Sequence, residues 1–186
     1  MADLPLLTER LILRAWRDED APPFQAICTD PAVMEFLGPP LTLASAQELV
    51  RRQQGWQANL GYCFWAMEHR ATGELMGFCG IKPGAQGTPI EGRIEIGWRM
   101  ARKWWGAGLA CEAARATLDW TWAHLDTDSV WAITTTGNLR SRALMRRLGM
   151  IRRHDLDFDH PALPDGDPLR AHMTCRIERP GPAPTS

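Results

Sequence analysis

The chain has 186 residues, 45% of them hydrophobic and 23% charged, with a formal net charge of −1 at pH 7. That length fits one domain with a sizeable core, and the composition is neither that of a disordered chain nor that of a membrane-spanning one. A charge so near zero gives no general field for nucleic acid or an anionic membrane surface.

The opening MADLPLLTERL has no basic region before a long apolar stretch, so it does not read as a signal peptide. No apolar run approaches the roughly 20 residues that cross a bilayer. Cys28, Cys63, Cys79, Cys111 and Cys175 are scattered and form no C-x-x-C pair. They read as reduced thiols of a cytoplasmic protein, with neither a disulfide framework nor a metal site.

In chain order, residues 10–16 (RLILRAW) alternate enough for a first strand. Asp18 opens a helical stretch to about Thr29, with Pro22 and Pro23 tolerable only in its first turn. A short helix follows Asp30 and Pro31. Ser45-Ala-Gln-Glu48 has the form of a capping box and predicts a helix over 45–59, weakened by Gly55. Residues 62–68 and 74–81 read as two strands joined at Ala71-Thr72-Gly73, and 82–90 (KPGAQGTPI) as a loop. Residues 93–99 (RIEIGWR) form another strand, in which Gly97 signals a bulge or a close backbone approach.

Apolar and small residues then recur at helical spacing over 109–125. Residues 130–135 are a strand. Asn138 is an N-cap candidate for a helix ending before Gly149. Residues 150–158 and 172–177 close the chain as two strands, and 179–186 form a Pro-rich tail. Nine tryptophans are many for this length, and most are expected in the core.

The segment Lys103-Trp104-Trp105-Gly106-Ala107-Gly108-Leu109-Ala110 lies between a strand and the long helix. Its two glycines permit a tight turn and a close approach to the backbone. The helix that follows offers unpaired amides and the positive end of its dipole. Together they suit a pyrophosphate. No Walker loop G-x-x-x-x-G-K-[ST] occurs. A dinucleotide fingerprint fails as well: its third glycine is replaced by Cys111, and Thr134, Thr135 and Thr136 stand where an acid belongs.

With that loop in place, the sequence resembles the GNAT superfamily of acetyltransferases, in its RimJ/RimL-like branch. Lys103-Trp-Trp-Gly106-Ala-Gly108 follows the superfamily's Gln/Arg-x-x-Gly-x-Gly/Ala loop with lysine in first place. Thr8-Glu9-Arg10-Leu11-Ile12-Leu13-Arg14 is similar to the branch's opening, as Ile94-Glu95-Ile96-Gly97-Trp98 is to the strand before the loop. Asn138-Leu-Arg-Ser141 with Leu148-Gly149-Met150 resembles the late helix and turn. The resemblance implies an α/β (mixed α+β) fold: a strongly bent, mostly antiparallel sheet of about seven strands, with a splayed central pair and flanking helices. It implies a single domain over 1–178, acetyl-CoA in the cleft and no metal. The backbone of Ile96, Gly97 and Trp98 would pair with the pantetheine arm. Lys103, Trp105, Gly106, Ala107, Gly108, Leu109 and Ala110 would hold the pyrophosphate, and Asn138 and Ser141 would face the cofactor's far end.

Acetyl transfer from a thioester needs a neutral amine, a stabilised oxyanion and a proton for the departing thiolate. Glu95 is the candidate general base; the alternative is that it pairs with an arginine such as Arg93 or Arg115. Many members of the superfamily carry a tyrosine as general acid four residues after the position of Ser141. Met145 stands there, leaving Ser141, with or without a water, as the replacement. Cys111 at the helix start reads as packing rather than as an acyl carrier. The acceptor is expected to be a primary amine, either a small molecule or a protein N-terminus, and Asp157, Asp159, Asp165 and Asp167 could attract a cationic one. Neither nucleic acid nor a membrane is expected as a partner, and homodimers occur in the family. The alternative function is a non-catalytic acyl-CoA-binding or sensing domain.

Overall fold

The computed structural model describes residues 4–181. Its elements are β1 (Leu6–Leu7), β2 (Leu11–Arg14), α1 (Ala21–Ile27), α2 (Pro31–Met34), α3 (Leu43–Leu60), β3 (Phe64–His69), β4 (Leu75–Pro83), β5 (Ile94–Met100), α4 (Leu109–His124), β6 (Ser129–Thr135), α5 (Leu139–Arg147), β7 (Ile151–Arg152), β8 (Phe158–Asp159) and β9 (Ala171–Glu178). Among the described residues they build one nine-stranded sheet in the order β1-β2-β3-β4-β5-β6-β9-β7, with β8 also on β9. Every pairing is antiparallel except β5 with β6.

The mixed, mostly antiparallel architecture is the one expected. The strand count exceeds about seven because β1, β7 and β8 are two residues each, too short for a period to show. The expected strand over 150–158 is interrupted by a 3-10 turn at His154–Leu156. No helix among the described residues is long and apolar enough to cross a membrane. No group of three or more His, Cys, Asp or Glu among them is placed to hold a metal ion. Of the Pro-rich tail, 182–186 lie outside the described residues, as do 1–3 of the opening segment.

Local rules explain most boundaries. The cap of α3 is Thr42, whose Oγ1 accepts from the Ser45 amide at 3.1 Å, so the helix begins before the capping box read at Ser45. It ends at Gly61, whose φ of 80° is the left-handed stop that glycine adopts without strain. Asn138 caps α5 as its sequence suggests, accepting from the Ser141 amide at 3.1 Å. Gly97 makes no bulge, because β4 and β5 stay in register from Gly77↔Met100 to Pro83↔Ile94. It makes room instead: a Cβ there would lie 2.6 Å from Phe64 Cζ.

The faces of β5 separate the two sides of the molecule. Ile96, Trp98 and Met100 share the side of Cys79, which lies opposite Trp98 and touches Thr117 of α4 (Sγ–Oγ1 3.7 Å). Glu95, Gly97 and Arg99 share the side of Phe78, which lies opposite Arg99 and meets Phe24 of α1 at 5.9 Å between ring centroids. The alternation follows from the period of two along a strand.

On that α1 side a buried ion triad ties three segments together. Arg14 grips Asp20 with both terminal nitrogens (2.7 and 2.8 Å) and Glu68 with Nε (2.7 Å). The Asp20 hydrogen bond, opposed by burial and reinforced by Glu68, raises the Arg14 pKa above its ordinary value. Of the tryptophans, Trp16, Trp65, Trp120 and Trp131 are buried in the body of the fold.

Candidate active site

The parallel strands β5 and β6 meet at one register pair, Glu95↔Trp131. Beyond it toward their C-terminal ends they part, leaving the β6-facing edge of β5 from Ile96 onward without a further register partner among the described residues. The gap opens into a cleft of about 590 Å³, lined by the far ends of both strands, α2 and the segment after it, the start of α4, and α5.

At one end stands the glycine loop. Gly106 and Gly108 have φ of 81° and 79°, and nothing lies within 4 Å of where a Gly106 Cβ would be. The amides of Gly106, Ala107, Gly108, Leu109 and Ala110 find no intramolecular acceptor among the described residues. Gly108 is the N-cap of α4 and offers no side-chain cap. A row of free amides at a helix N-terminus is an anion cradle.

The loop is held from the N-terminal segment. Arg10 Nη1 donates to the Ala107 carbonyl at 3.0 Å. Glu112, in the first turn of α4, accepts from Thr8 Oγ1 at 2.6 Å, the Arg10 amide at 2.9 Å and Arg10 Nε at 2.7 Å. Burial alone would push the Glu112 carboxyl up, but these donors outweigh it and hold its pKa below the ordinary value. The Thr8-Glu9-Arg10 opening thus has a physical role that its sequence did not disclose.

The two adjacent tryptophans divide the work. Trp105 lines the cleft, donates Nε1–H to the Met100 carbonyl at 2.8 Å and carries Arg140 over its ring at 4.5 Å. Trp104 points away and stacks on His69 at 4.6 Å. Lys103, expected beside the phosphates, is not among the lining residues: it ion-pairs with Glu74 and lies over Trp104. Ala107 is also absent from the lining and turns its carbonyl to Arg10. The structure brings together the other residues singled out: Glu95, Ile96, Gly97, Trp98, Trp105, Gly106, Gly108, Leu109, Ala110, Asn138 and Ser141 all line the cleft. Trp98 reaches across the gap and donates Nε1–H to Ser141 Oγ at 3.2 Å.

Glu95 is the one carboxylate among the cleft-lining residues and is 8% exposed. Its partner is neither Arg93 nor Arg115 but Lys82, directly opposite on β4, which donates to Oε2. Arg93 instead lies over the Trp131 ring at 3.9 Å. Burial pushes the Glu95 carboxyl above its ordinary value, and the charge and hydrogen bond of Lys82 pull partly against that. Lys82 was missed because a lysine at the mouth of a Gly/Pro loop has no distinctive pattern. Also missed were Phe64, Arg99, Arg140 and the α2 side of the cleft, which come together only through tertiary packing.

The acidic hairpin does not offer free charge at all its positions. Asp157 is engaged by Arg152 at 2.5 Å, while Asp159 and Asp165 are both paired with Arg170.

A family model described as "Acetyltransferase (GNAT) domain" matches residues 10–151. The uncharacterized protein YkkB of Bacillus subtilis is 34% identical over 150 residues, covering 80% of this chain and 86% of the relative. Among solved structures, an acetyltransferase from Agrobacterium tumefaciens superposes with a TM-score of 0.76 at 26% identity, covering 96% of each chain. RimL, a ribosomal L7/L12 alpha-N-protein acetyltransferase solved with coenzyme A, shares the fold at a TM-score of 0.73 and 15% identity, over 94% of this chain and 97% of its own. With the splayed strand pair and the glycine loop, these matches show that the chain belongs to the GNAT family of acetyltransferases.

Proposed function

We propose that the protein moves the acetyl group of acetyl-CoA directly to a primary amine within a ternary complex, with Glu95 as general base. The observation that carries this reading is the position of Glu95: it is the single carboxylate lining the cleft, at the point where β5 and β6 part.

The chain's residues fit the cosubstrate. Five free amides and two left-handed glycines suit a pyrophosphate. The unpaired edge of β5 beyond Glu95 suits an extended amide-bearing arm, which would pair there as an added strand does. RimL, a protein of the same fold, was solved with coenzyme A. Bound acetyl-CoA supplies a thioester carbonyl as the electrophile.

The rest falls to this chain. Glu95 takes a proton from the incoming ammonium, directly or through a water, so that the nitrogen lone pair is free to attack. A lysine-like amine, of pKa about 10.4, needs this more than an α-amine near 8. The raised pKa makes Glu95 a stronger proton acceptor than an exposed carboxylate, provided it is ionised. An amide on the edge of β5 beyond its pair with β6 would stabilise the oxyanion. As the C–S bond breaks, the proton that the new amide nitrogen releases passes to the departing thiolate through the Ser141 hydroxyl. That hydroxyl gives its own hydrogen and takes the nitrogen's in return; its Oγ accepts from Trp98, leaving that hydrogen available.

The domain reading extends to residue 178, where β9 finishes its pairing with β6 at Ser129↔Glu178. Calorimetric titration with acetyl-CoA, followed by a CoA-release assay over a panel of primary amines, tests the function. One-per-chain binding with amine-dependent release is expected. Binding without release to any amine would favour an acyl-CoA sensor, and absence of binding would refute the reading.

A further inference from the structure

We propose that Arg99 is an anion anchor on the acceptor side of the cleft, so that the amine acetylated carries a carboxylate. The inference rests on the acetyl-transfer reading and names its substrate class.

Arg99 lines the cleft from the same face of β5 as Glu95, the face that looks toward α1 and away from α4. Its charge is unanswered. Among the described residues no carboxylate pairs with it, and its Nε–H is buried without an acceptor. Its one hydrogen bond runs from Nη1 to Cys28 Sγ at 3.2 Å. Burial raises the Cys28 pKa against the opposing pull of Arg99, so the partner is a neutral thiol at neutral pH. The guanidinium otherwise rests against Phe24 and Phe78, at 5.7 and 5.6 Å from their ring centroids. A half-buried guanidinium at the cleft wall, with its Nε–H enclosed and idle, has donors to offer a ligand, and its fork matches a carboxylate.

The other cations nearby are differently placed. Lys82 is taken by Glu95 and Arg140 by Glu35, and Arg147 stands exposed at the rim. With Arg140 paired, Arg99 and Arg147 still face a single lining carboxylate that is itself already paired, which makes the cleft unsuited to a polycationic acceptor. The pairing of Asp157, Asp159 and Asp165 with arginines removes much of the acidic hairpin's pull on one. The cosubstrate's phosphates are the competing anions, but their amide cradle belongs to α4, which packs on the opposite face.

The floor between Arg99 and Glu95 sets the acceptor's shape. Phe78 and Phe64 stack there at 5.0 Å, with Lys82 over Phe64 at 5.6 Å. With a strand rise of about 3.3 Å per residue, Arg99 lies about 7 Å from Gly97 and about 13 Å from Glu95 along β5. The acceptor is therefore a primary amine joined to a carboxylate about 7–13 Å away by an apolar spacer. A short free peptide meets that description, and so does a protein N-terminus with an acidic side chain near its start.

Two matched probe pairs test this: the tripeptide Ala-Leu-Ala against its C-terminal amide, and a longer peptide amide with Glu against Gln at its third position. For each, CoA release gives kcat/KM and calorimetry gives the Kd. The expected result is a preference of about tenfold or more for the carboxylate member of at least one pair, in rate and in affinity. Which pair shows it identifies the source of the carboxylate. Arg99→Met erases the preference, Arg99→Lys retains part of it, and both leave the acetyl-CoA Kd unchanged. Equal use of acid and neutral partner in both pairs would overturn the proposal, as would a loss of acetyl-CoA affinity in Arg99→Met. If no amine released CoA, the acetyl-transfer reading would fall, while the calorimetric comparison, read without turnover, would still decide the role of Arg99.

Discussion

Glu95 and Trp131 are the only register partners between the two parallel strands, and the sheet opens immediately beyond them. The last pair before the gap therefore contains the single acid of the cleft. The same backbone divergence that makes room for a cosubstrate buries this carboxylate at the base of the opening, with Lys82 beside it.

That arrangement fixes a pH dependence. Burial raises the Glu95 pKa and Lys82 lowers it, so Lys82→Met should raise it further. A general base works deprotonated. The acidic limb of kcat/KM should thus move to higher pH in the variant, with the activity lost near neutrality recovering as pH rises. A limb that stayed in place or moved to lower pH would separate Glu95 from the titrating group.

The glycine loop makes a second prediction. Gly108 has a φ of 79°, and a Cβ there would meet only Arg10 Nη2 at an ordinary 3.8 Å. Gly108→Ala therefore suffers backbone strain rather than a clash, of about 1–2 kcal/mol. Relaxation of that strain would turn the amides of the cradle, and acetyl-CoA affinity should fall about tenfold. Calorimetry measures this directly, and unchanged affinity would mean the amides do not contact the cosubstrate.

Stability offers a third. Arg14→Ala would leave the carboxylates of Asp20 and Glu68 enclosed without their counterion. Breaking such a buried network from one side costs about 3–5 kcal/mol. The melting temperature should fall by on the order of 10 °C for a chain of this size. A loss of only a degree or two would show that solvent reaches the triad.

Much of this was legible in the sequence, and the reason differs by element. The helix α4 follows from its helical period, and β4 and β6 follow from continuous runs of strand-forming residues, since both are buried along nearly their whole length. The Asn138 cap follows from side-chain chemistry within a single turn, and the Gly149 stop from the left-handed backbone, φ 82°, that glycine adopts without strain. Thr42 was overlooked as the cap of α3 because Ser45 and Glu48 imitate a capping box one turn later. The loop residues from Trp105 to Ala110 carried a local signal, but Lys103 did not follow it, since Glu74 from the hairpin before β4 captured its ammonium. Lys82 and Arg99 escaped notice because their significance lies in what stands opposite them on neighbouring elements.

The substitution Glu95→Gln, followed by measurement of kcat/KM and of acetyl-CoA affinity on the same preparation, addresses the central claim most directly. It preserves the size of the side chain and removes the proton acceptor. A fall of about 100-fold or more in kcat/KM with an unchanged acetyl-CoA Kd is the predicted result. Undiminished turnover would contradict the account and leave Glu95 as the structural partner of Lys82.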